Sequence, residues 1–258
     1  MIVRGSIAVA LILLIRPIRK DVVRPTGRTI IACSLFASAT IGLYEGIRAW
    51  GPSLTLIVIT AQPLVNFAAK KLRGNPISLR ALSALTVLLV GITLALQPWR
   101  SELSMAGVLW SLGGTVAAGI GFEVMSTSSG SQKSAFNKTF WLATVTVVVG
   151  MLSQVVRNGN FPFSHMTPQA TIIGTLLIWG VIGGFLYYLS LVLAYAHLAT
   201  DKAAVLTMGE TPFVILASGF LLGEKMTTSQ WTGVVIAVIA TALLGVMEAR
   251  ATAKGAPA

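Results

Sequence analysis

Residues 203–244 read AAVLTMGETPFVILASGFLLGEKMTTSQWTGVVIAVIATALL. Two apolar runs, 203–222 and 230–247, flank a polar turn that holds Glu224, Lys225, Thr227, Thr228 and Ser229. Each run comes close to the roughly 20 residues that an α-helix needs to cross a hydrocarbon core about 30 Å thick. The turn carries its own helix signals. Gly223 suits the left-handed residue that closes a helix, and Thr227 with Gln230 three residues on makes a capping box for the next one. Pro212 falls inside the first run, where it removes a backbone donor and frees a carbonyl. Two apolar helices joined by a short polar turn, one of them opened at a proline, set the fold class: all-α and embedded in lipid.

The pattern extends over the whole chain. Of its 258 residues 55% are hydrophobic and only 10% charged, with a mean hydropathy of +0.82, whereas a soluble domain carries about 25% charged residues. Further apolar runs near 2–16, 29–48, 53–69, 81–97, 106–126, 139–156 and 171–197 bring the expectation to about nine transmembrane helices in one polytopic helical membrane protein. The breaks between them leave no room for a soluble domain. The net charge of +11 and the pI near 10.4 do not mark a nucleic-acid partner, because the basic residues stand between apolar runs and not on one soluble face. Cys33 is the only cysteine, which excludes an intrachain disulfide and a cysteine metal cluster; no metal and no cofactor is expected. The first 20 residues imitate a secretory signal, since Arg4 precedes the run 7–15. Arg16, Arg19 and Lys20 follow where a small-residue cleavage site would stand, so the segment reads as a retained span.

Lysine and arginine set the orientation. Segments 16–28, 70–80, 127–138, 199–202 and 248–258 hold 14 of the 19, and Arg4, Arg48, Arg100, Arg157 and Lys225 fall on the opposite side. The C-terminus is therefore expected in the cytoplasm, and the chain in a cell membrane, the inner one in a bacterium. A weak internal repeat emerges at a fixed shift of 149 residues, at which Pro63 meets Pro212, Val65 meets Val214, Ala68 meets Ala217, Leu72 meets Leu221 and Gly74 meets Gly223. Both copies share the order of a long span, a short break, a proline-containing span, a glycine-marked turn and a closing span. An odd number of spans separates them, so they enter the membrane from opposite sides, an inverted topology frequent in secondary transporters. The expected parts are a first, N-terminally shortened repeat over 1–100, a second repeat over 101–250 and a cytoplasmic tail over 251–258.

The stretch 203–244 resembles the closing signature of EamA-type transporters of the drug/metabolite transporter superfamily. That signature has a proline within the penultimate span (Pro212), a Gly-Glu pair at its end (Gly223 and Glu224) and a Gln and a Gly opening the last span (Gln230 and Gly233). In the first half Asn75 stands in the place of the Glu and Ala84 in the place of the Gly. The resemblance covers nearly the whole chain and implies ten helices in two inverted five-helix repeats, with both termini cytoplasmic. The run after Arg4 resembles the family's second helix, so a first helix is expected to be missing, through an upstream translation start, a shortened chain or a nine-span variant.

Charge and backbone single out the candidate site. Intramembrane carboxylates are costly and mark function by default. Glu45 stands three residues before Arg48, a spacing at which the two can pair on one helix face. Glu123 lies near the cytoplasmic end of its span and reads as reaching out to the interface. Glu210 is deeper, two residues from Pro212, and no basic residue lies within a helical turn of it; it is the first candidate for binding a solute or coupling to protons. Pro63, with Gln62 before it, and Pro212 open backbone that a cavity, a solute or a packed neighbour must satisfy. Aromatics at span ends mark the membrane interface, but Tyr187 and Tyr188 are mid-span and can stack on a planar or cationic solute; Tyr188 shares a face with Tyr195. His197, near Asp201 and Lys202, reads as a solvated helix end. Gly223, Glu224, Gln230 and Gly233 read as turn and packing residues, with an entrance contact as the alternative for Glu224. Gly180 with Gly184, and Ala117 with Gly121, read as close helix packing.

The chain has no Walker-type phosphate loop. The expectation is a secondary transporter and not an enzyme, exporting a small metabolite, amino acid or drug-like solute by alternating access, as the resemblance implies. Its expected partners are the lipid bilayer, the solute, protons as coupling ion and a second copy in a homodimer. One rival is a membrane-embedded lipid-modifying enzyme, which needs clustered His, Asp or Ser on facing helices, whereas this chain has two His. The other is an inactive or accessory fragment of a transporter.

Overall fold

The computed structural model describes residues 2–15, 22–100, 104–126, 132–158, 180–213, 215, 216 and 226–253. Regular structure among them is helical throughout. The elements are α1 (Ile2–Leu14), α2 (Gly27–Trp50), α3 (Pro52–Thr60), α4 (Pro63–Leu72), α5 (Leu79–Leu96), α6 (Met105–Ser126), α7 (Gln132–Asn158), a π-helical segment (Val181–Leu186) continuing into α8 (Tyr187–His197), α9 (Thr200–Thr207) and α10 (Thr228–Ala253). Among the described residues six segments are long and apolar enough to cross a membrane: Gly27–Trp50, Pro52–Leu72, Leu79–Leu96, Met105–Ser126, Ala135–Val156 and Thr228–Met247; Ile2–Leu14 and Val181–His197 are shorter apolar helices. The chain is an all-α polytopic membrane protein. The expected spans 171–197 and 203–222 lie partly outside the described residues, and α10 runs three residues into the segment read as a tail.

These helices gather into two compact units that do not follow the halves of the sequence. The first takes residues 1–41 and 121–197, the second 42–120 and 198–258. The long helices α2 and α6 each contribute one end to each unit.

In the first unit α1 lies on α7 and on the π-helical segment. Lipid tails are as apolar as leucine, so helices in a bilayer associate through close packing and not through exclusion from water. Small residues supply that closeness here. A Cβ on Gly5 would stand 2.6 Å from Val147 Cγ2 and 3.0 Å from the Ala143 carbonyl, and one on Gly121 would stand 3.1 Å from the Ala32 carbonyl. The buried core includes Ala8, Ile12, Leu142, Ala143, Tyr188, Leu191 and Val192.

In the second unit α5 and α10 pack along their length, around Leu85, Leu88, Ile92, Ala237 and Leu244. Their backbones touch where Gly91 meets Gly233: a Cβ on Gly91 would stand 2.6 Å from the Gly233 carbonyl and 2.7 Å from Ala237 N. Both helices begin on a hydroxyl cap. Ser78 Oγ accepts from Ala81 N at 3.3 Å, and Thr227 Oγ1 accepts from Gln230 N at 3.4 Å while Thr227 N donates to Gln230 Oε1 at 2.8 Å, the reciprocal capping box that the sequence predicts. At the other end of α5, Gln97 turns left-handed (φ 48°) and its Nε2 donates to Thr227 Oγ1 at 3.0 Å and Ser229 Oγ at 2.6 Å. Helix α4 ends at Gly74, with φ 76°; Asn75 N reaches the Lys70 carbonyl at 3.1 Å and Gly74 N the Lys71 carbonyl at 2.9 Å, the paired bonds of a Schellman close.

Gly233→Val forces a branched side chain into the Gly91 backbone, and overpacking of this kind costs about 1–3 kcal/mol. Nothing stands within 4 Å of a Cβ on Gly113, so Gly113→Ala is the neutral control. Thermal unfolding of both variants in detergent, followed by tryptophan fluorescence, is expected to show a clear loss for the first and none for the second.

Candidate functional site

The second unit contains two interrupted helices. Between α3 and α4 the chain makes a turn at Ala61 and Gln62, and after α9 it makes another at Met208 and Gly209 before turning helical again from 210. Pro63 is the first residue of α4, and Pro212 lies in the first turn of the segment that begins at 210. A first helical turn has no intrahelical use for the missing N–H, so proline is tolerated there. The sequence reading left a freed carbonyl at each proline; the structure shows how the chain spends them. Gln62 N donates to the Ile59 carbonyl at 2.9 Å, Leu64 N to Ala61 at 2.9 Å and Val65 N to Gln62 at 3.0 Å, a tightened turn of three-residue bonds. The Val58 carbonyl takes Ala61 N at 3.1 Å and Thr115 Oγ1 at 3.2 Å. The second break is carried in the same way, by Gly209 N to Leu206 O at 3.1 Å and Thr211 N to Met208 O at 3.2 Å.

Polar side chains collect at these breaks. Gln62, which precedes α4, and Asn66, one turn on, are both fully buried, and Gln62 Nε2 donates to Asn66 Oδ1. Asn66 Nδ2 passes the chain on to the Gly119 carbonyl at 3.0 Å. Among the described residues Gln62 Oε1 is buried without a hydrogen-bond partner, an acceptor that hydrocarbon would penalise. Thr60 Oγ1 lies 3.4 Å from Thr211 Oγ1, so the two breaks touch. Pro63 and Pro212 are buried beside them and Glu210 is exposed at the head of the second segment. Glu45 is half-buried on α2, with Arg48 exposed one turn on.

Near the basic loops of this unit a buried ion pair joins α4 to α9. Lys70 Nζ is 2.9 Å from Asp201 Oδ2, and the Asp201 carboxylate is wholly buried. The same oxygen accepts from Ser78 N at 3.3 Å, so one carboxylate ties α4, the cap of α5 and the first turn of α9. There its charge also meets the positive end of the helix dipole.

The first unit holds an aromatic cluster. Tyr188 is fully buried, with Phe36 edge-on at 6.0 Å; Phe36 meets Phe122 at 5.3 Å, and Phe122 stacks on Tyr195 at 4.4 Å. Tyr187 and Tyr188 both carry the Arg4 guanidinium, at 5.5 and 5.0 Å from the ring centroids, and Arg4 Nη2 donates to the Tyr188 hydroxyl at 3.1 Å. The sequence offered the tyrosine rings to a planar or cationic solute as one alternative; in the fold a cation on these rings is Arg4. Glu123, read as reaching out to the interface, is buried. The end of α6 beside it is covered by Lys138, whose Nζ donates to the Met125 carbonyl at 3.2 Å, a cation on the negative end of a helix dipole.

Of the remaining candidates, His197 is exposed at the end of α8, Gln230 caps α10 and Gly233 packs on Gly91, whereas Gly223 and Glu224 lie outside the described residues. Gly180 and Gly184 do pack closely: a Cβ on Gly180 would meet Ile7 and one on Gly184 the Arg4 backbone. The sequence reading missed Thr60, Asn66, Thr211 and the Lys70–Asp201 pair. Asn66 was legible as the polar residue one turn after Gln62 on the same face. The ion pair was not, because its members are 131 residues apart.

No curated protein matches this chain. A solved structure described only as a crystal structure of a protein superposes with a TM-score of 0.61 at 11% identity, over 95% of this chain and 98% of that one, a likeness of fold. The model of the EamA-like transporter family matches residues 105–246, 142 of the 258 residues. A match across more than half of its length, on helices that bear out the membrane fold, makes this chain a member of the EamA-like transporter family.

Proposed function

We propose that the chain is a secondary transporter that exports a small solute by alternating access, with its solute and coupling site at the two interrupted helices. One observation carries this reading: two helical stretches of the second unit are interrupted, at Ala61–Gln62 and at Met208–Gly209, and the breaks meet at Thr60 and Thr211. A membrane protein keeps irregular backbone only where protein or a cavity satisfies it, and transporters build their binding sites from such discontinuous helices. The placement of elements supports an inverted repeat. The caps Ser78 and Thr227 stand 149 residues apart, each accepting from the N–H three residues on, and the Gln62-Pro63 and Thr211-Pro212 pairs keep the same shift.

In this reading Glu210 is the coupling group. A carboxylate at the head of the second interrupted segment gains a proton from one side and releases it to the other as the protein changes access. Glu210→Gln keeps shape and removes the titratable proton. Proteoliposomes loaded with solute are expected to show efflux that responds to an imposed pH gradient with the parent and no such response with Glu210→Gln, at unchanged thermal stability. Equal pH response in both forms removes the coupling role.

The Lys70–Asp201 pair then acts as the closure on the basic face. The positions that the repeat sets against it, Gly219 and Pro52, carry no charge, so the repeat supplies no counterpart to this pair. Asp201→Asn is expected to raise the labelling of a cysteine placed in α4 by an impermeant maleimide added from the cytoplasmic side, and the exchange Lys70→Asp with Asp201→Lys to restore protection. The orientation itself is checked by reporters: one fused after Ala258 is expected in the cytoplasm and one inserted near Asn158 outside, following the 14 to 5 division of basic residues.

A further inference from the structure

Helices α5 and α10 touch at Gly91 and Gly233, and toward the basic loops a groove of about 220 Å³ opens between them. Ala84 and Ala240 are too small to fill it, and Val87, Leu243 and Met247 wall it with exposed apolar side chains. Arg80 completes the lining. It is the second residue of the span Leu79–Leu96, and Met247 is the last of the span Thr228–Met247, so the two place the mouth of the groove at the membrane interface. At 1.5 Å per residue the lining then reaches about 10 Å inward, as far as Val87 on α5. The Arg80 side chain is exposed, and among the described residues its guanidinium has neither a hydrogen bond nor an ion pair. Charge at this end is one-sided. Segments 70–80 and 248–258 hold six lysines and arginines against one carboxylate, Glu248, and Arg250 follows one turn after Met247 on α10.

We infer that this groove is a binding site for an anionic phospholipid of the leaflet on the basic face, with one acyl chain lying between α5 and α10 and the phosphate on Arg80. The walls are apolar and exposed at a depth where the surroundings are lipid tails, so a chain end enters from the bilayer without crossing water. The guanidinium offers a planar fork that matches two oxygens of one phosphate, and basic pockets between transmembrane helices take acidic headgroups in this way. Arg80 lies in the first turn of α5, where the positive end of the helix dipole adds to its own charge. A second copy of this chain is the other apolar body of the right kind. Inserted in the same orientation and related by a two-fold axis, it would bring its own basic segments to the same end, like charge against like. An anionic headgroup meets the opposite sign.

The test uses the full chain in a neutral maltoside detergent, with phosphatidylglycerol, phosphatidylcholine of the same acyl chains, and glycerol 3-phosphate as the headgroup without tails. Unfolding temperature and native mass spectra are read together. Phosphatidylglycerol is expected to raise the unfolding temperature and to be retained about tenfold more readily than phosphatidylcholine, the scale of one charged hydrogen-bond contact, and glycerol 3-phosphate to do nothing at the same concentration. Arg80→Gln changes an exposed residue, so it is expected to fold like the parent and to lose that preference. Lys71→Gln removes a charge from the same face outside the groove and is expected to keep most of it. Ala84→Trp fills the groove and is expected to lower the retention of both lipids; the Arg80 and Lys71 variants decide the outcome even where the tryptophan disturbs folding. Equal retention of the two lipids by the parent, an unchanged preference in Arg80→Gln, an equal loss in Lys71→Gln, or a response to glycerol 3-phosphate that matches the lipid's overturns the site. A lipid-free dimer that Ala84→Trp splits gives the groove to a second copy and overturns it as well.

Discussion

Hydrocarbon offers no hydrogen bonds, so every backbone N–H and C=O inside the membrane must find its partner within the protein. That constraint governs the second unit. A span interrupted at Ala61 and Gln62 survives there because three-residue bonds carry the turn, because Thr115 reaches over from α6 to the Val58 carbonyl, and because Gln62 and Asn66 lead to the Gly119 carbonyl. Each of these partners comes from a helix that must be close, and the closeness comes from glycine. Gly119 lies against Val65, where a Cβ would stand 2.6 Å from the Val65 side chain. The hydrogen bonds of the break and the packing of α6 on α4 are thus one arrangement.

Charge follows the same logic. Asp201 is wholly buried and is tolerated through Lys70, Ser78 N and the N-terminus of its own helix. Removing one member of such a pair leaves an uncompensated charge, which is why buried pairs are costly to break. Arg4 is met differently, by two aromatic faces and a hydroxyl. One device joins helices through opposite charges near the basic loops; the other seats a cation on two aromatic rings.

The two devices belong to different compact units, and each unit draws helices from both halves of the sequence. The halves of the sequence are therefore not the units in space. Helices from the two halves pair with each other, as α5 does with α10 through Gly91 and Gly233, and as the two interrupted helices do through Thr60 and Thr211.

The sequence by itself determined the class of fold, since hydropathy is a property of consecutive residues and a lipid-facing helix must be apolar along its length. It determined the capping box at Thr227 and Gln230 and pointed to backbone breaks beside Pro63 and Pro212, which are likewise local: a cap needs residues three apart, and a proline acts on its own turn. The glycine pairs were legible as packing sites but not their partners. Only the tertiary structure decided that Gly233 meets Gly91, that Asp201 is paired with Lys70, that Glu123 is buried and that Arg4 sits on Tyr188. Each of these depends on two residues far apart in the chain. In a membrane the apolar faces that would pair them all look alike, so the choice rests on steric fit and on single polar contacts, which no periodicity in the sequence records.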